Sequence, residues 1–200
     1  MAKENGAVVV ERDRQFLDRL SQTGTHQGVI ATLAAFAYSE IEDIYQRAGD
    51  EKLFIIVCDC IQDEQNLGAI IRTAEAAGAH GVVIPKRRSA GLSAVTARAS
   101  AGAAEHIPVV RVPGIPSFLR EIKQRGVWVY GAAGEAAENA LETDLGLPAA
   151  LVLGNEEEGL RQLSRELCDK LVSIPMTGKT ASLNVSCAAA ILIFKMRYGR

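Results

Sequence analysis

Aromatic residues are scarce in this chain of 200 residues, at 5%, so base stacking on an aromatic platform is not advertised. No charge of one sign dominates: 22 Lys and Arg stand against 24 Asp and Glu, a formal net charge of -2. A chain without positive excess has no global attraction for nucleic acid, and any such binding must use a local basic patch. Metal-ligand spacing is missing too. The four cysteines, Cys58, Cys60, Cys168 and Cys187, include no C-x-x-C pair, and His26, His80 and His106 stand far apart with no H-x-x-x-H spacing. This argues against a zinc site and for free, buried thiols of a cytosolic protein, with Cys58 and Cys60 pointing the same way from one strand. The opening Met-Ala-Lys-Glu-Asn-Gly has no signal-peptide apolar core, and no apolar run approaches the length that spans a bilayer. The expectation is a soluble cytoplasmic protein with no metal and no membrane partner.

What is present is an ordinary globular composition, 48% apolar and 23% charged, in a length that fits one domain with a sizeable core. Residues 7–35 read as a short strand (Ala7–Val10), a polar helix around Arg14–Leu20, a Ser-Gln-Thr-Gly turn and a strand from Gly28 to Leu33. That is too little for a domain and reads as the end of something larger, or as an arm. Residues 36–52 read as a linker carrying one short helix. From Leu53 the pattern is regular. Strand-length apolar runs fall at Leu53–Cys60, Gly81–Ile84, Ile107–Val112, Val127–Tyr130, Ala150–Leu153 and Leu171–Ile174. Helical stretches fall at Leu67–Ala77, Ser93–Ala101, Ser117–Gln124, Gln162–Cys168 and Leu183–Met196. The runs are continuous rather than alternating, as in strands covered on both faces. Strand–helix alternation then predicts an α/β fold, a mainly parallel sheet with helices on both faces. The final helix is apolar on nearly every side, so it must be buried on nearly every side. One face lies on the sheet and the other is expected to meet a second subunit in a homodimer.

Three glycine-bearing loops each follow an apolar strand: Asn66-Leu-Gly-Ala-Ile-Ile-Arg72, Leu151-Val-Leu-Gly-Asn-Glu-Glu-Glu-Gly159 and Ile174-Pro-Met-Thr-Gly-Lys-Thr-Ala-Ser-Leu-Asn-Val-Ser186. In open α/β sheets ligands bind at the carboxyl ends of the strands, so three such loops suggest one composite site. Each residue has a plain reading beside the functional one. Asn66 is a good helix N-cap. Arg72 lies about 200° from Ile70 around a helix and so points away from the packed stripe, either as a solvated arginine or as a cation aimed at a phosphate or carboxylate. Gly154 lets a ligand approach the backbone, while the glutamates after it favour a helix N-terminus; Glu156 either orients a polar partner or holds Arg72. Lys86, Arg87 and Arg88 are a solvated loop or, on the same sheet edge, a phosphate-backbone contact. Gly178-Lys-Thr180 is not a P-loop, because Ser173 stands where its first glycine belongs, and no G-x-G-x-x-G occurs. That leaves the loops to another adenosine-bearing ligand.

These three segments, in this order and spacing over residues 53–197, resemble the motifs of the SpoU (TrmH-like) RNA ribose 2′-O-methyltransferases of the SPOUT superfamily. His26-Gln-Gly-Val-Ile30 and Pro85-Lys-Arg-Arg-Ser-Ala90 resemble the branch that methylates a guanosine in 23S rRNA. The resemblance implies a C-terminal trefoil knot and S-adenosylmethionine as cofactor, with Gly154, Ile174, Met176 and Leu183 contacting it. It implies Arg72 as a base or an electrostatic stabiliser, with Asn66, Glu156, Ser182 and Asn184 orienting Arg72 and the ribose, and Lys86, Arg87 and Arg88 on RNA. It also implies a methyltransferase domain over 53–200, a linker over 36–52 and, over 1–35, only the last part of an RNA-binding domain. The alternatives are a tRNA 2′-O-methyltransferase, an antibiotic-resistance methyltransferase of the same family, and an RNA-binding or assembly factor that has lost catalysis.

Overall fold

A computed structural model describes residues 8–21, 26–32 and 36–199. The chain divides into two compact units, Met1–Ala35 and Phe36–Arg200. In the smaller unit the one helix among the described residues is α1 (Arg14–Leu20), started by Asp13, whose carboxylate accepts from Phe16 N at 2.7 Å. None of its residues is buried. Val8–Val10 and Gly28–Thr32, expected as strands, form none. Apolar runs so short, with no partner strand among the described residues, have nothing there to hold them extended. Ala7, Leu33 and most of the expected Ser-Gln-Thr-Gly turn lie outside the described residues.

The larger unit begins with a correction. Residues 36–52, expected as a linker, are part of it. Ser39 pairs in parallel with Val110, and α2 (Ile41–Ala48) buries Ile44 completely. Its start is fixed by Glu40 N donating to Asp43 Oδ2 at 2.8 Å. The polar look of the segment comes from the outer face of an amphipathic helix, which a linker reading mistakes for solvation all round.

The strands are β1 (Phe54–Cys58), β2 (Gly81–Pro85), β3 (Val109–Val112), β4 (Trp128–Ala132), β5 (Glu138–Asn139), β6 (Ala149–Leu153) and β7 (Lys170–Ser173). They form one sheet in the order β3-β2-β1-β6-β4-β7-β5, and every pairing is parallel. Only the two-residue β5 was not expected, being too short to leave a hydrophobic pattern. β1, β2 and β6 are buried along their whole length, because helices cover both faces.

The period-2 alternation of side chains divides β1 between two cores. Phe54, Ile56 and Cys58 pack with α3 (Glu64–Ala76) and α7 (Val185–Tyr198). Ile55 and Val57 pack with α2 and α5 (Ile115–Gln124). The remaining helices are α4 (Ala94–Ala99) and α6 (Gln162–Leu167). Gly68 explains how α3 and α4 come so close: a Cβ there would lie 2.5 Å from Ala99 Cβ and 2.6 Å from Thr96 O. The glycine of the first motif therefore serves helix packing rather than a ligand. Among the described residues no helix is long and apolar enough to cross a membrane.

Candidate functional site

Because every strand is parallel, the segments after β1, β2, β4, β6 and β7 all emerge at one sheet edge. Gly154, at the end of β6, is where the site is shaped. A Cβ on it would run into the backbone of Gly159 and Leu160, because the loop doubles back on itself. Asn155 and Gly159 exchange backbone hydrogen bonds, 2.9 Å each way, and Gly159 takes a left-handed φ of 69°, which glycine adopts at little cost. The missing side chain of Gly154 thus gives its own loop the room to fold back, whatever room it also leaves for a ligand.

Asn155, which sequence reasoning passed over, holds that loop. Its Oδ1 accepts from Glu157 N at 2.9 Å and Glu158 N at 3.2 Å, and its Nδ2 donates to Cys60 O at 3.0 Å. An asparagine next to a strand-ending glycine was the available signal, since its side chain readily bonds backbone two residues on. At the far end of the loop, Arg161 pairs with the fully buried Asp59 at 2.9 Å.

Asn66 is not the cap of α3. Asp63 is, accepting from Gln65 N and Asn66 N at 2.6 and 3.1 Å. The Asn66 side chain is thereby free to reach outward. Its Nδ2 donates to Glu156 Oε1 at 3.0 Å, and its Oδ1 accepts from Asn184 Nδ2 at 3.0 Å. Asn184 in turn caps α7, accepting from Ser186 N at 2.9 Å and Ser186 Oγ at 2.6 Å. One polar chain, Glu156–Asn66–Asn184–Ser186, ties all three sequence motifs together. Glu156 is thus partnered by Asn66, and Arg72 is exposed on α3 with no hydrogen bond or ion pair among the described residues.

Beside that chain lies a cleft. Gly154, Glu156, Ile174, Met176, Ser182 and Leu183 line it, as do Ala132–Gly134 at the end of β4 and Ala188 and Leu192 of α7. The four residues expected to hold a cofactor are all on its wall. Asn66, Asn184 and Arg72 are not; Asn66 borders it through Glu156, and Asn184 is linked to Asn66. Lys86, Arg87 and Arg88 are exposed on the loop after β2.

Burial disfavours the thiolate form of Cys58 and Cys60 near this cleft. Burial, reinforced by the Glu156 and Asp59 carboxylates, pushes Cys58 up to about 12. Burial raises Cys60 as well, against the opposing pull of Arg161. Two expectations about cysteines are corrected. Cys60 lies beyond the end of β1 with a left-handed φ of 68°, so it does not share a strand direction with Cys58. Cys187 is exposed rather than buried.

Fold and site together define a parallel α/β domain with a cleft built from the loops of its last strands and the start of α7. The SpoU rRNA Methylase family model matches residues 53–194, and the model for RNA 2′-O ribose methyltransferase substrate binding matches residues 1–39. The chain belongs to the SpoU rRNA methylase family. It is 42% identical over 194 residues to the 23S rRNA (guanosine-2′-O-)-methyltransferase RlmB of Ralstonia nicotianae, covering 97% of this chain and 78% of the relative. The enzyme of the same name from Escherichia coli K12 is 39% identical over 196 residues, covering 96% of this chain and 80% of the relative. Among solved structures, the SpoU methyltransferase AviRb from Streptomyces viridochromogenes, in complex with the cofactor AdoMet, superposes with a TM-score of 0.69 at 31% identity. That match covers 76% of this chain and 63% of AviRb, so this chain spans less than two thirds of that structure.

Proposed function

We propose that this protein transfers a methyl group from S-adenosylmethionine to a ribose 2′-hydroxyl of RNA, its target being a guanosine of 23S rRNA. The observation that carries this reading is the Glu156–Asn66–Asn184 chain, 3.0 Å at each link, closing three separated motifs around one cleft. The cleft suits the cofactor: Leu183, Val185, Ala188 and Leu192 offer an apolar wall for an adenine, and Glu156 a carboxylate for a cationic sulfur. When bound, S-adenosylmethionine supplies an electrophilic methyl group. The chain's own residues do the rest. A ribose hydroxyl is a poor nucleophile, and its developing negative charge must be met by a fixed cation or donor. Arg72 is an exposed cation on α3, and because an arginine does not accept a proton, it stabilises the negative charge developing on the ribose oxygen and the adjoining phosphate. The hydroxyl proton passes to water as the methyl group is transferred. Asn66 and Ser182 orient the ribose; the polar chain keeps the Asn66 amide from rotating.

Lys86, Arg87 and Arg88 bind phosphates of the RNA backbone, and residues 1–35 belong to an RNA-binding domain. The strand order, with β6 inserted between β1 and β4 and β7 beyond β4, supports a knotted C-terminal region. The working unit is a homodimer in the cytoplasm, joined through the outer face of α7, where Ile191, Phe194 and Tyr198 are 38%, 44% and 66% exposed.

Methyl incorporation from labelled S-adenosylmethionine into unmodified 23S rRNA and tRNA transcripts is the test, run beside Arg72→Ala and Arg72→Lys. The expected result is transfer to 23S rRNA that Arg72→Ala lowers by about 100-fold or more and Arg72→Lys partly restores. Wild-type rates in Arg72→Ala would remove Arg72 from the reaction, transfer to tRNA alone would reassign the target, and RNA binding without transfer would leave a non-catalytic RNA-binding factor.

A further inference from the structure

The basic loop after β2 is held far more firmly than a solvated loop needs to be. Lys86, Arg87 and Arg88 are exposed, and none of the ion pairs among the described residues involves them. Three neighbouring cations repel one another and resist a fixed arrangement, yet the backbone that carries them is pinned at both ends and in the middle. At its start Lys86 N donates to Val112 O at 2.8 Å, and Lys86 O accepts from Arg111 Nη2 at 2.7 Å. In the middle Arg88 takes a left-handed φ of 59°, and Ser89 Oγ and Ala90 N both donate to Ile61 O, at 3.1 and 2.8 Å. At its end Leu92 N donates to the Tyr38 hydroxyl oxygen at 2.8 Å.

Tyr38 reaches both ends. Its hydroxyl holds Leu92, and its ring lies under Arg111, whose guanidinium carbon is 4.8 Å from the ring centroid. Stacking of a guanidinium on an aromatic face is attractive and fixes the plane of the fork, which here aims Nη2 at the Lys86 carbonyl. Gly91 fits the same arrangement, since a Cβ on it would stand 2.5 Å from the Tyr38 hydroxyl oxygen. Tyr38 is itself fixed by its neighbour, because Ser39 N donates to Val109 O at 3.0 Å on the edge strand β3. Through Ile61, two residues before the Asp63 cap of α3, the loop is also tied to the helix that carries Asn66 and Arg72.

We propose that Tyr38 is a positioning residue for the RNA substrate: its ring beneath Arg111 and its hydroxyl on Leu92 N–H hold the loop 86–92 in the shape that presents Lys86, Arg87 and Arg88 to the phosphate backbone. The inference rests on the RNA-methylation reading given above. A loop ordered in advance binds without the entropic cost of ordering on the RNA, so Tyr38 acts on RNA affinity and leaves cofactor affinity and turnover alone.

The test uses the full chain, unmodified 23S rRNA transcript and S-adenosylmethionine, with Tyr38→Phe and Arg111→Lys. Tyr38→Phe removes one hydrogen bond and keeps the ring, so KM for RNA should rise about five-fold. Its kcat at saturating RNA and its S-adenosylmethionine affinity should match wild type, and amide exchange at Leu92 should quicken in the free protein. Arg111→Lys keeps the charge but loses the planar fork, and should raise KM likewise. An unchanged KM in Tyr38→Phe, or a wild-type KM in Arg111→Lys, overturns the inference, the second because charge alone would then suffice. Equal losses in kcat and in cofactor affinity also overturn it, since they mark a general structural effect. A wild-type protein that neither binds nor methylates the transcript overturns the functional reading first and this inference with it, which the cofactor titration and Leu92 exchange distinguish from failure of the clamp.

Discussion

Gly154 and Asn66 carry the same lesson in opposite directions. Gly154 was open to a role beside a ligand and does line the cleft, but its own loop alone already leaves no room for a Cβ against Gly159 and Leu160. Asn66 was open to a plain role as a helix cap and instead makes the central link between Glu156 and Asn184. Residue type and position in the chain were legible in both cases. The partner was not, because it lies 90 residues away for Glu156 and 118 for Asn184, and no local pattern encodes that approach. Gly154→Ala is expected to lower stability by about 1–3 kcal/mol, the usual cost of forcing atoms into filled space, and to abolish S-adenosylmethionine binding by opening the 155–159 turn. Thermal melting and calorimetric titration check it; a variant that melts and binds like wild type would refute the closed-loop account.

At the scale of elements, α7 is the most informative helix. Ala189, Leu192, Ile193 and Met196 face the core, while Cys187, Ile191, Phe194 and Tyr198 form a stripe on the opposite side. The Phe194 and Tyr198 rings lie 5.7 Å apart on that stripe. In the proposed homodimer this exposed apolar stripe is the partner surface; the helix's even apolarity was readable from sequence, whereas which half faces the sheet was not. Phe194→Glu should leave the fold intact, because the side chain is already 44% exposed. It should convert a dimer to a monomer in sedimentation velocity and lower methyl transfer in parallel. A monomeric wild type, or a dimeric variant, would remove α7 as the interface. The opposite error occurred at α2. Its polar composition suggested a linker, and the burial of Ile44 against Gly81 is what its outer face conceals.

At the scale of the whole molecule, the amino edge of the sheet carries the charge that responds to acid. His80 is buried beside β1, its Nδ1 accepting from Phe54 N at 3.0 Å and its Nε2 3.5 Å from Glu51. Burial lowers its pKa below the usual 6.5, with Glu51 opposing. The unfolded chain therefore takes up a proton near pH 6.5 that the folded chain still refuses. Stability from this group is complete above that pH and is lost as the pH falls through the interval between the unfolded and the lowered folded pKa. Melting temperatures measured from pH 7.5 down to 5 should fall, and the part of the fall due to His80 should vanish in a His80→Gln variant. An identical pH profile for that variant would show that His80 does not carry it.

The sequence by itself determined the parallel α/β class, six of the seven strands, the wholly apolar character of the final helix, and the three glycine-bearing loops that meet at one site. Those follow from hydrophobic period and from loop chemistry, both local properties of the chain. Only the tertiary structure decided that residues 36–52 belong to the domain, that Glu156 meets Asn66, and that Tyr38 reaches Leu92 in the loop 86–92. Each of these depends on which strand lies beside which. The order β3-β2-β1-β6-β4-β7-β5 brings distant loops to one edge, and pairings between residues so far apart leave no periodic trace in the chain that makes them.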